Sequence, residues 1–376
     1  MSSMPMKDKI WLSSPHMGGH EQSFINEAFA TNWIAPLGPN VNGFEQDLSF
    51  YLGKDSNVAV LSSGTAAIHL GLILLGVTHG DEVICQSKTF SASANPIVYQ
   101  GATPIFIDSE MDTWNMCPET LEKAIKDRIS KGKKPKVIIA VHLYGMPYKV
   151  IEINTIAKKY NIPILEDSAE SLGSRYHGQK CGTFGDISIL SFNGNKIITT
   201  SGGGALVTKS EEVKRKAIFL STQARDNSPE YHHSHIGYNY RMSNIVAGIG
   251  RGQMKVLESH VEKRRANFEF YKQELKELPI IFLKEPEHCF SNRWMSCILL
   301  EDFKIRERIR LKLEKVNIES RPLWKPMHQQ PIFKDTPKYI NGNSDELFEK
   351  GLCLPSGSNL NDLQLKRVIT TIKESL

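Results

Sequence analysis

Short apolar runs alternate with amphipathic stretches through the middle of the chain. Each apolar run predicts a strand, and each stretch between two runs carries the helical spacing of apolar residues. The predicted strands are residues 58–61, 82–85, 104–107, 136–143 and 162–165, and the predicted helices are 65–75, 91–99 (despite Pro96), 118–129 and 150–160. Because these strands are almost continuously apolar, we expect a mostly parallel sheet flanked by helices on both faces.

The pattern changes on either side of this region. Residues 187–192 and 205–208 predict two strands joined by a short glycine-rich link, which suits an antiparallel or edge arrangement. From Glu211 the chain is predicted to be mostly helical, with residues 242–275 as the longest helix. Residues 1–45 are rich in Gly, Pro and Asn and are predicted to be irregular.

The last part of the chain predicts a small α+β domain. Its short strands are expected at 297–300 and 317–319, and its helices at 304–316 and 360–375. A chain of 376 residues is also too long for one core of ordinary size. We therefore predict an N-terminal arm over 1–45, a large domain over 46–260 and a small C-terminal domain over 261–376.

Composition narrows the class of protein. Hydrophobic content of 40% and charged content of 23% are ordinary for a globular protein, and the formal charge of +5 is spread among acids, so no nucleic-acid partner is expected. No run approaches a membrane span, and the first residues lack a signal-peptide core. The six cysteines form no C-x-x-C pair, which indicates reduced thiols. We expect a cytoplasmic protein with no membrane partner.

Asp167 and Lys196 are the most informative pair of residues. Asp167 ends the run Ile-Pro-Ile-Leu-Glu-Asp, and Lys196 ends Ser-Phe-Asn-Gly-Asn-Lys. A lysine that forms a Schiff base and a carboxylate that keeps a pyridine nitrogen protonated are what pyridoxal 5'-phosphate (PLP) chemistry needs. Glu170 adds a further carboxylate, which is costly without a nearby cation. The alternatives are a surface lysine and a helix N-terminus decorated with acids.

Further residues suit a bound cofactor. Ser63, Gly64 and Thr65 follow a strand and open a helix, where backbone N–H groups favour a phosphate, although an ordinary capped turn has the same pattern. Ser191 is placed to reach the same phosphate. Phe90 could stack on a pyridine ring, or be a core phenylalanine. Neither a Walker motif nor G-x-G-x-x-G occurs, so nucleoside triphosphate and dinucleotide cofactors lack support.

Two polar clusters suit a diphosphate and a flat base. Gly-Tyr-Asn-Tyr-Arg-Met (237–242) and Arg-Pro-Leu-Trp-Lys-Pro-Met-His (321–328) combine cations with aromatic rings, although a polar domain or subunit interface has the same composition. The candidate substrate contacts are Trp33, Arg241, Arg321, Trp324 and His328. The histidines in 232–235 lack a carboxylate or cysteine to complete a ligand set, so a solvated loop is favoured and no metal is predicted.

Taken in order, these segments resemble the DegT/StrS family of PLP-dependent sugar-nucleotide aminotransferases. The resemblance covers nearly the whole chain and is carried by Ser-Ser-Gly-Thr-Ala-Ala (62–67), His-Leu-Tyr-Gly (142–145), Glu-Asp-Ser-Ala-Glu (166–170) and Ser-Phe-Asn-Gly-Asn-Lys (191–196). Residues 193–204, 221–225 and 321–325 carry a narrower likeness, to enzymes that aminate UDP-2-acetamido-4-keto-2,6-dideoxy-glucose in bacillosamine-type pathways.

The resemblance implies a fold-type-I, aspartate aminotransferase-like fold and a homodimer with shared active sites. Lys196 would carry the cofactor and Asp167 would hold its pyridine nitrogen, while Glu170 stands where family members vary between Glu, Gln and His. The related 3-dehydratases have histidine at the lysine position, so Lys196 argues against that branch. The remaining implied contacts are Ser63 or Gly64, Thr65 and Ser191 with the phosphate, Asn239 with the phosphate of the other subunit, and Phe90 with the ring.

The expected reaction moves an amino group from L-glutamate to C4 of a UDP-linked 4-keto-6-deoxy-N-acetylhexosamine. The product would be a UDP-4-amino-4,6-dideoxy-N-acetylglucosamine, used in polysaccharide biosynthesis or protein glycosylation. Lys196 is expected to act as the general base. A GDP- or dTDP-linked keto sugar is one alternative acceptor. A PLP-binding regulator or scaffold without turnover is an alternative of another class.

Overall fold

The computed structural model describes residues 8–53 and 55–376. Residues 1–7 of the predicted N-terminal arm lie outside the described residues. The strands are β1 (Asn57–Leu61), β2 (Glu82–Gln86), β3 (Thr103–Ile107), β4 (Val137–Val141), β5 (Ile164–Asp167), β6 (Arg175–Tyr176), β7 (Gln179–Lys180), β8 (Ile187–Ser191), β9 (Gly204–Thr208), β10 (Ile281–Phe282), β11 (Cys289–Phe290), β12 (Ser296–Leu299), β13 (Arg321–Pro322), β14 (Lys338–Tyr339) and β15 (Gly351–Leu354).

Helices lie between most of these strands. They are α1 (Glu21–Ala30), α2 (Pro39–Leu52), α3 (Gly64–Leu74), α4 (Ser91–Tyr99), α5 (Pro118–Ser130), α6 (Val150–Tyr160), α7 (Glu211–Ser221), α8 (Asn244–Met254), α9 (Leu257–Glu274), α10 (Phe303–Lys315), α11 (Asn343–Lys350) and α12 (Asp362–Lys373). Short 3-10 turns occur at Leu143–Gly145, Met327–Gln329 and Pro331–Phe333. None of the helices in the described ranges is long and apolar enough to cross a bilayer.

An eight-stranded sheet forms the centre of the molecule, in the order β1-β9-β8-β5-β4-β2-β3-β14. Strands β8, β5, β4, β2, β3 and β14 run parallel to one another, whereas β9 is antiparallel to both β1 and β8. Successive residues of β2 enter different apolar clusters, since Val83 and Cys85 pack in one and Ile84 in another. Both faces of the sheet are therefore covered, and the predicted α/β architecture with a mostly parallel sheet is confirmed.

Two smaller sheets accompany the central one: β10-β12-β15-β13, and β11-β6-β7. Helices α9, α10 and α12 pack with the first of these around a separate apolar cluster. The predicted domain boundary after residue 260 falls inside α9, and β14 from the C-terminal part joins the central sheet beside β3. The division into an arm and two domains stays a prediction.

Several predicted elements are wrong in detail. The predicted helix 242–275 is two helices, because Val256 leaves the helical path at φ −116° and ψ 4°. The described part of residues 1–45 is not irregular throughout: α1 and the start of α2 lie there, and Pro39 in the first turn of α2 is a helix-start signal rather than a breaker.

The remaining differences concern later segments. Of the two arrangements predicted for β8 and β9, the antiparallel one holds, and β9 lies between β1 and β8 instead of at an edge. Residues 317–319 form no strand; Ile318 makes only an isolated bridge with Ile10. After α7 the chain is irregular up to Ser243, so the mostly helical region predicted from Glu211 is interrupted.

Candidate active site

One cavity of about 720 Å³ lies at the carboxyl ends of β5 and β8. This edge is where open α/β sheets place their ligand sites. The cavity brings together ten of the residues predicted from the sequence, namely Ser63, Gly64, Thr65, Phe90, Asp167, Glu170, Ser191, Lys196, Arg321 and Trp324.

The N-terminus of α3 forms one wall of the cavity. Ser63 caps the helix, since its Oγ accepts a hydrogen bond from the Ala66 N–H at 3.0 Å. Gly64 lets β8 approach closely, because a Cβ there would lie 3.0 Å from the Ser191 Cβ and 3.3 Å from its Oγ. The free N–H groups of the first turn, with the Thr65 and Ser191 hydroxyls in the same lining, form a site that suits a phosphate.

Asp167 lies on the floor of the cavity and is almost fully buried. Its Oδ2 accepts a 2.6 Å hydrogen bond from the Ser93 hydroxyl, and its Oδ1 accepts one of 3.1 Å from the Ala169 N–H. Burial raises the pKa of the Asp167 carboxyl, and the hydrogen bond from Ser93 opposes this only in part. Among the described residues Asp167 has no ion pair, so a protonated ring nitrogen fits this position well.

Lys196 reaches the same cavity from the turn that follows β8. Its Nζ lies 3.7 Å from the Glu170 Oε1 and 4.2 Å from the centroid of the Trp294 ring. The Lys196 N–H donates to the Asn193 carbonyl at 3.0 Å, which closes the turn. The lysine is therefore held inside the cavity and is not the surface residue that its polar sequence context also allowed.

Glu170 is buried beside this lysine. Its Oε2 accepts a 2.6 Å hydrogen bond from the Tyr144 N–H, and burial, opposed by the Lys196 charge, raises the pKa of Glu170 to about 7. Tyr144 adopts φ 55° and ψ 23°, a left-handed conformation that costs free energy for a bulky residue. This strained residue turns its N–H toward Glu170.

Glu166 has a different environment from its two neighbours. It is fully buried, hydrogen-bonds with His142 at 2.7 Å, and accepts hydrogen bonds from three N–H groups of residues 182–185 and from the Ser168 and Ser188 hydroxyls. Burial alone would raise the pKa of Glu166, but the His142 contact and these donors outweigh it and lower the pKa to about 2. Glu166 therefore anchors the loop before β8 and is not part of the cavity.

Aromatic side chains form the opposite wall. Phe90 is 54% exposed, so it is not a core phenylalanine, and its ring centroid lies 5.4 Å from that of Trp324. The Trp324 N–H donates to the Tyr144 hydroxyl at 2.9 Å. Arg321 lies at the mouth with its side chain mostly exposed, 3.0 Å from Glu319. The mouth therefore combines aromatic rings with the exposed guanidinium of Arg321 on its long stem.

Four predicted residues do not line this cavity. Arg241 is buried between Glu45, at 2.5 Å, and the Val60 carbonyl, at 3.0 Å, where it fixes β1 to α2. His328 bonds to Ser87 at 2.7 Å and lies 2.9 Å from Asp345. Trp33 and Asn239 are exposed elsewhere on the surface. Internal partners occupy Arg241 and His328, and their substrate contacts stay predictions.

The structure adds residues that the sequence reasoning missed. Ser93, Tyr144 and Trp294 line the cavity and contact Asp167, Glu170 and Lys196 respectively. Among residues 8–53 and 55–376, no group of three or more His, Cys, Asp or Glu side chains is placed to hold a metal. In the exposed 232–235 loop, His232 and Ser234 both bond to Asp226.

The fold and the site define a class of enzyme. The chain belongs to the DegT/DnrJ/EryC1/StrS aminotransferase family, whose model matches residues 15–373. It is 50% identical to EpsN of Bacillus subtilis, and the match covers 98% of this chain and 96% of EpsN. The name of EpsN describes a PLP-dependent aminotransferase. It is 36% identical to the GDP-perosamine synthase of Escherichia coli O157:H7, over 96% of both chains.

A solved structure gives the same answer for the fold. A sugar aminotransferase of Streptococcus pneumoniae in its PLP form superposes with a TM-score of 0.90, at 28% identity, over 98% of this chain and 100% of the other. The predicted family, fold and enzyme class are confirmed by these likenesses.

Proposed function

We propose that this enzyme transfers an amino group from L-glutamate to C4 of a UDP-linked 4-keto-6-deoxy-N-acetylhexosamine. As a member of its family it is a sugar aminotransferase, and its cofactor is PLP. One observation carries the proposal most directly: Lys196 and the buried carboxyl of Asp167, which has no ion pair among the described residues, share one cavity with a helix start that suits a phosphate.

The residues around the cavity match the parts of PLP. The N-terminus of α3, with Ser63, Gly64, Thr65 and Ser191, would hold the phosphate. Asp167 would pair with the pyridine nitrogen, and the exposed ring of Phe90 would lie against the cofactor. When bound, PLP supplies an aldehyde that carries the amino group between substrates and a ring that accepts electrons.

The side chains of the protein have distinct tasks. Lys196 removes a proton from the α-carbon of glutamate and later delivers one to C4 of the sugar. Glu170, 3.7 Å from the Lys196 Nζ, holds the amine on the proper side of the cavity. Asp167 is braced by Ser93 and the Ala169 N–H, so its carboxylate keeps a fixed position while charge develops nearby.

The mouth of the cavity supports a sugar nucleotide as acceptor. Arg321 and Lys325 line it beside Trp324, which suits a diphosphate and a flat base. The preference for UDP rests on the likeness of residues 193–204, 221–225 and 321–325 to UDP-sugar enzymes. A GDP-linked keto sugar is the second candidate, since a 36% identical relative is named as GDP-perosamine synthase. A dTDP-linked sugar is supported by a relative at 28% identity, named as an aminotransferase for such a sugar.

A cytoplasmic homodimer with shared active sites is part of this proposal. Asn239 is exposed and lies outside the cavity of its own chain, as expected of a residue that serves the cofactor phosphate of a partner subunit. Trp33 is likewise exposed and lies outside the cavity of its own chain, so it too would serve the partner subunit. Its carbonyl accepts a 3.1 Å hydrogen bond from the Asn244 side chain.

The test starts from the purified protein mixed with PLP. We expect a visible absorbance band that Lys196→Ala abolishes, whereas Lys276→Ala, at an exposed lysine, retains it. Glutamate should bleach the band, and a UDP-linked 4-keto sugar should restore it faster than the GDP- or dTDP-linked analogues. A protein that binds PLP but keeps its absorbance band in the presence of glutamate would support the scaffold alternative. If the GDP-linked sugar restores the band faster than the UDP-linked sugar, the acceptor is GDP-linked.

A further inference from the structure

Trp294 is a buried aromatic residue that contacts the reactive lysine directly. Its side chain is 1% exposed, and the Lys196 Nζ lies 4.2 Å from its ring centroid. Its indole N–H donates a 2.7 Å hydrogen bond to the carbonyl of Asn195, the residue before Lys196. One side chain therefore contacts both the amine and the main chain that carries it.

The residue that carries the indole is itself held in place from several directions. The Trp294 backbone carbonyl accepts a 2.7 Å hydrogen bond from the buried Arg264 guanidinium, and the Trp294 backbone N–H donates to the Asn292 Oδ1 at 2.9 Å. The Tyr144 ring lies nearly parallel to it, with centroids 6.3 Å apart. A tryptophan that only filled space would not need its indole N–H directed at the Asn195 carbonyl and its ring face directed at the Lys196 amine.

Trp294 and Glu170 flank the lysine amine with two kinds of negative potential. Glu170 offers a carboxylate at 3.7 Å, and the indole offers the negative face of its π system. Charged and titratable groups also face the amine around the cavity, namely Asp167, Glu170, Tyr144, Glu319, Arg321, Lys325 and Cys353. Among the cavity-lining residues of the described chain, Trp294 is the one whose aromatic ring lies against the Lys196 amine.

We propose that Trp294 is a positioning residue for Lys196: its ring favours the charged amine inside the cavity, and its N–H fixes the Asn195 peptide so that the amine points at the cofactor site. The proposal rests on the proposed function for the role of Lys196. It adds a residue from the segment before β12, remote in sequence from the motifs that carry the family resemblance.

The first experiment measures the lysine without any turnover. The full-length chain, stripped of PLP, is treated with a small acylating reagent over a pH series, and the modified Lys196 peptide is quantified by mass spectrometry. In Trp294→Leu we expect the midpoint of the labelling curve to fall by roughly 0.5–1 pH unit, because the charged amine loses the ring. Improved access alone would raise the plateau of the curve without moving its midpoint.

A second variant separates the ring from its N–H. Trp294→Phe keeps an aromatic face but loses the hydrogen bond to Asn195, so its midpoint should stay near that of the wild type. The visible absorbance after mixing with PLP should nevertheless develop roughly 3- to 10-fold more slowly, because the Asn195 peptide is no longer held. Trp114→Leu is the matched control, since Trp114 is buried in the same apolar cluster but lines a different cavity.

The outcomes decide between positioning and packing. A folded Trp294→Leu protein with the wild-type midpoint, or a Trp114→Leu protein with an equal shift, would overturn the role of the ring. Should Trp294→Leu fail to fold, Trp294→Phe decides, and normal cofactor uptake in it would overturn the role of the N–H. The labelling needs neither cofactor nor substrate, so failure of turnover with every keto sugar would count against the proposed function alone.

Discussion

At the residue scale, three buried carboxyl groups near the end of β5 differ in the direction of their pKa shifts because their surroundings differ. Glu166 receives five donors besides His142, and its pKa falls to about 2. The pKa of Asp167 is raised by burial. Glu170, with one backbone donor and Lys196 nearby, has a pKa raised to about 7. Burial raises the pKa of all three carboxyls, and the number of donors that oppose it decides whether the net shift is upward or downward.

The raised pKa of Glu170 has a consequence for stability. A carboxyl whose pKa is about 7 in the folded chain and about 4.5 when unfolded favours the fold fully below pH 4.5, and this contribution is lost as the pH rises through 7. Glu170→Gln removes that titration. As the pH rises from 5 to 8, we expect the free energy of unfolding of the cofactor-free variant to increase relative to that of wild type by on the order of 2 kcal/mol. Urea unfolding at each pH measures this difference.

Glu262→Gln, at an exposed carboxyl, serves as the control for this measurement and should show no such gain. A free-energy difference between Glu170→Gln and wild type that stays constant over the pH range would show that Glu170 does not titrate near neutrality.

At the scale of elements, the residues after β2 hold the segment that carries the aromatic wall. The buried Lys88 Nζ donates to the Trp324 carbonyl at 3.0 Å and to the Ser344 carbonyl at 3.4 Å, without an ion pair among the described residues. The Met327 N–H donates to the Ser87 carbonyl at 2.7 Å. Burial lowers the pKa of Lys88 to about 7, so this clamp is made at a cost in desolvation.

Loss of the Lys88 hydrogen bonds is expected to affect only the half-reaction with the sugar acceptor. In Lys88→Met, the Trp324 carbonyl loses its hydrogen bond from Lys88, and we expect the KM for the keto sugar nucleotide to rise roughly 3- to 10-fold, as for the loss of one ordinary hydrogen bond. The rate at which glutamate bleaches the cofactor absorbance should be unchanged. Lys334→Met, at an exposed lysine of the following turn, is the control. Equal losses in both half-reactions would indicate a general disturbance of the fold.

At the scale of the whole molecule, the N-terminal and C-terminal parts are interleaved. Ile10 is buried in the C-terminal apolar cluster and bridges Ile318, while β14 joins the central sheet beside β3. Helix α9 runs across the predicted domain boundary, with Val261 in one apolar cluster and Phe268 in another. The C-terminal part therefore depends on the rest of the chain for its core.

We expect this interleaving to make unfolding cooperative. The full chain should lose far-UV circular dichroism and tryptophan fluorescence in one coincident urea transition, and residues 261–376 expressed alone should not fold, because Ile10 and the β3 partner of β14 are missing. Native-like circular dichroism with a sharp transition in the isolated segment would instead establish it as an independent domain.

The amino-acid sequence by itself determined the class of fold and the centre of the chemistry. Apolar periodicity is a local property, so it predicted strands and helices over residues 57–167, and Asp167 and Lys196 stood out because strand ends are recognisable locally. The glycine at 64 was likewise recognisable at a strand-to-helix turn. Neighbours distant in sequence determined two further features: the break between the two helices within residues 242–275, and the position of β9 inside the sheet.

Only the tertiary structure decided which side chains meet. Trp294, Tyr144 and Ser93 contact the site through packing between remote segments, which leaves no local periodic signal. The same packing gave Arg241 and His328 internal partners, although their sequence context was as polar as that of Arg321. Local patterns specify elements because they act over one or two turns, whereas a site is assembled by long-range contacts that no single segment encodes.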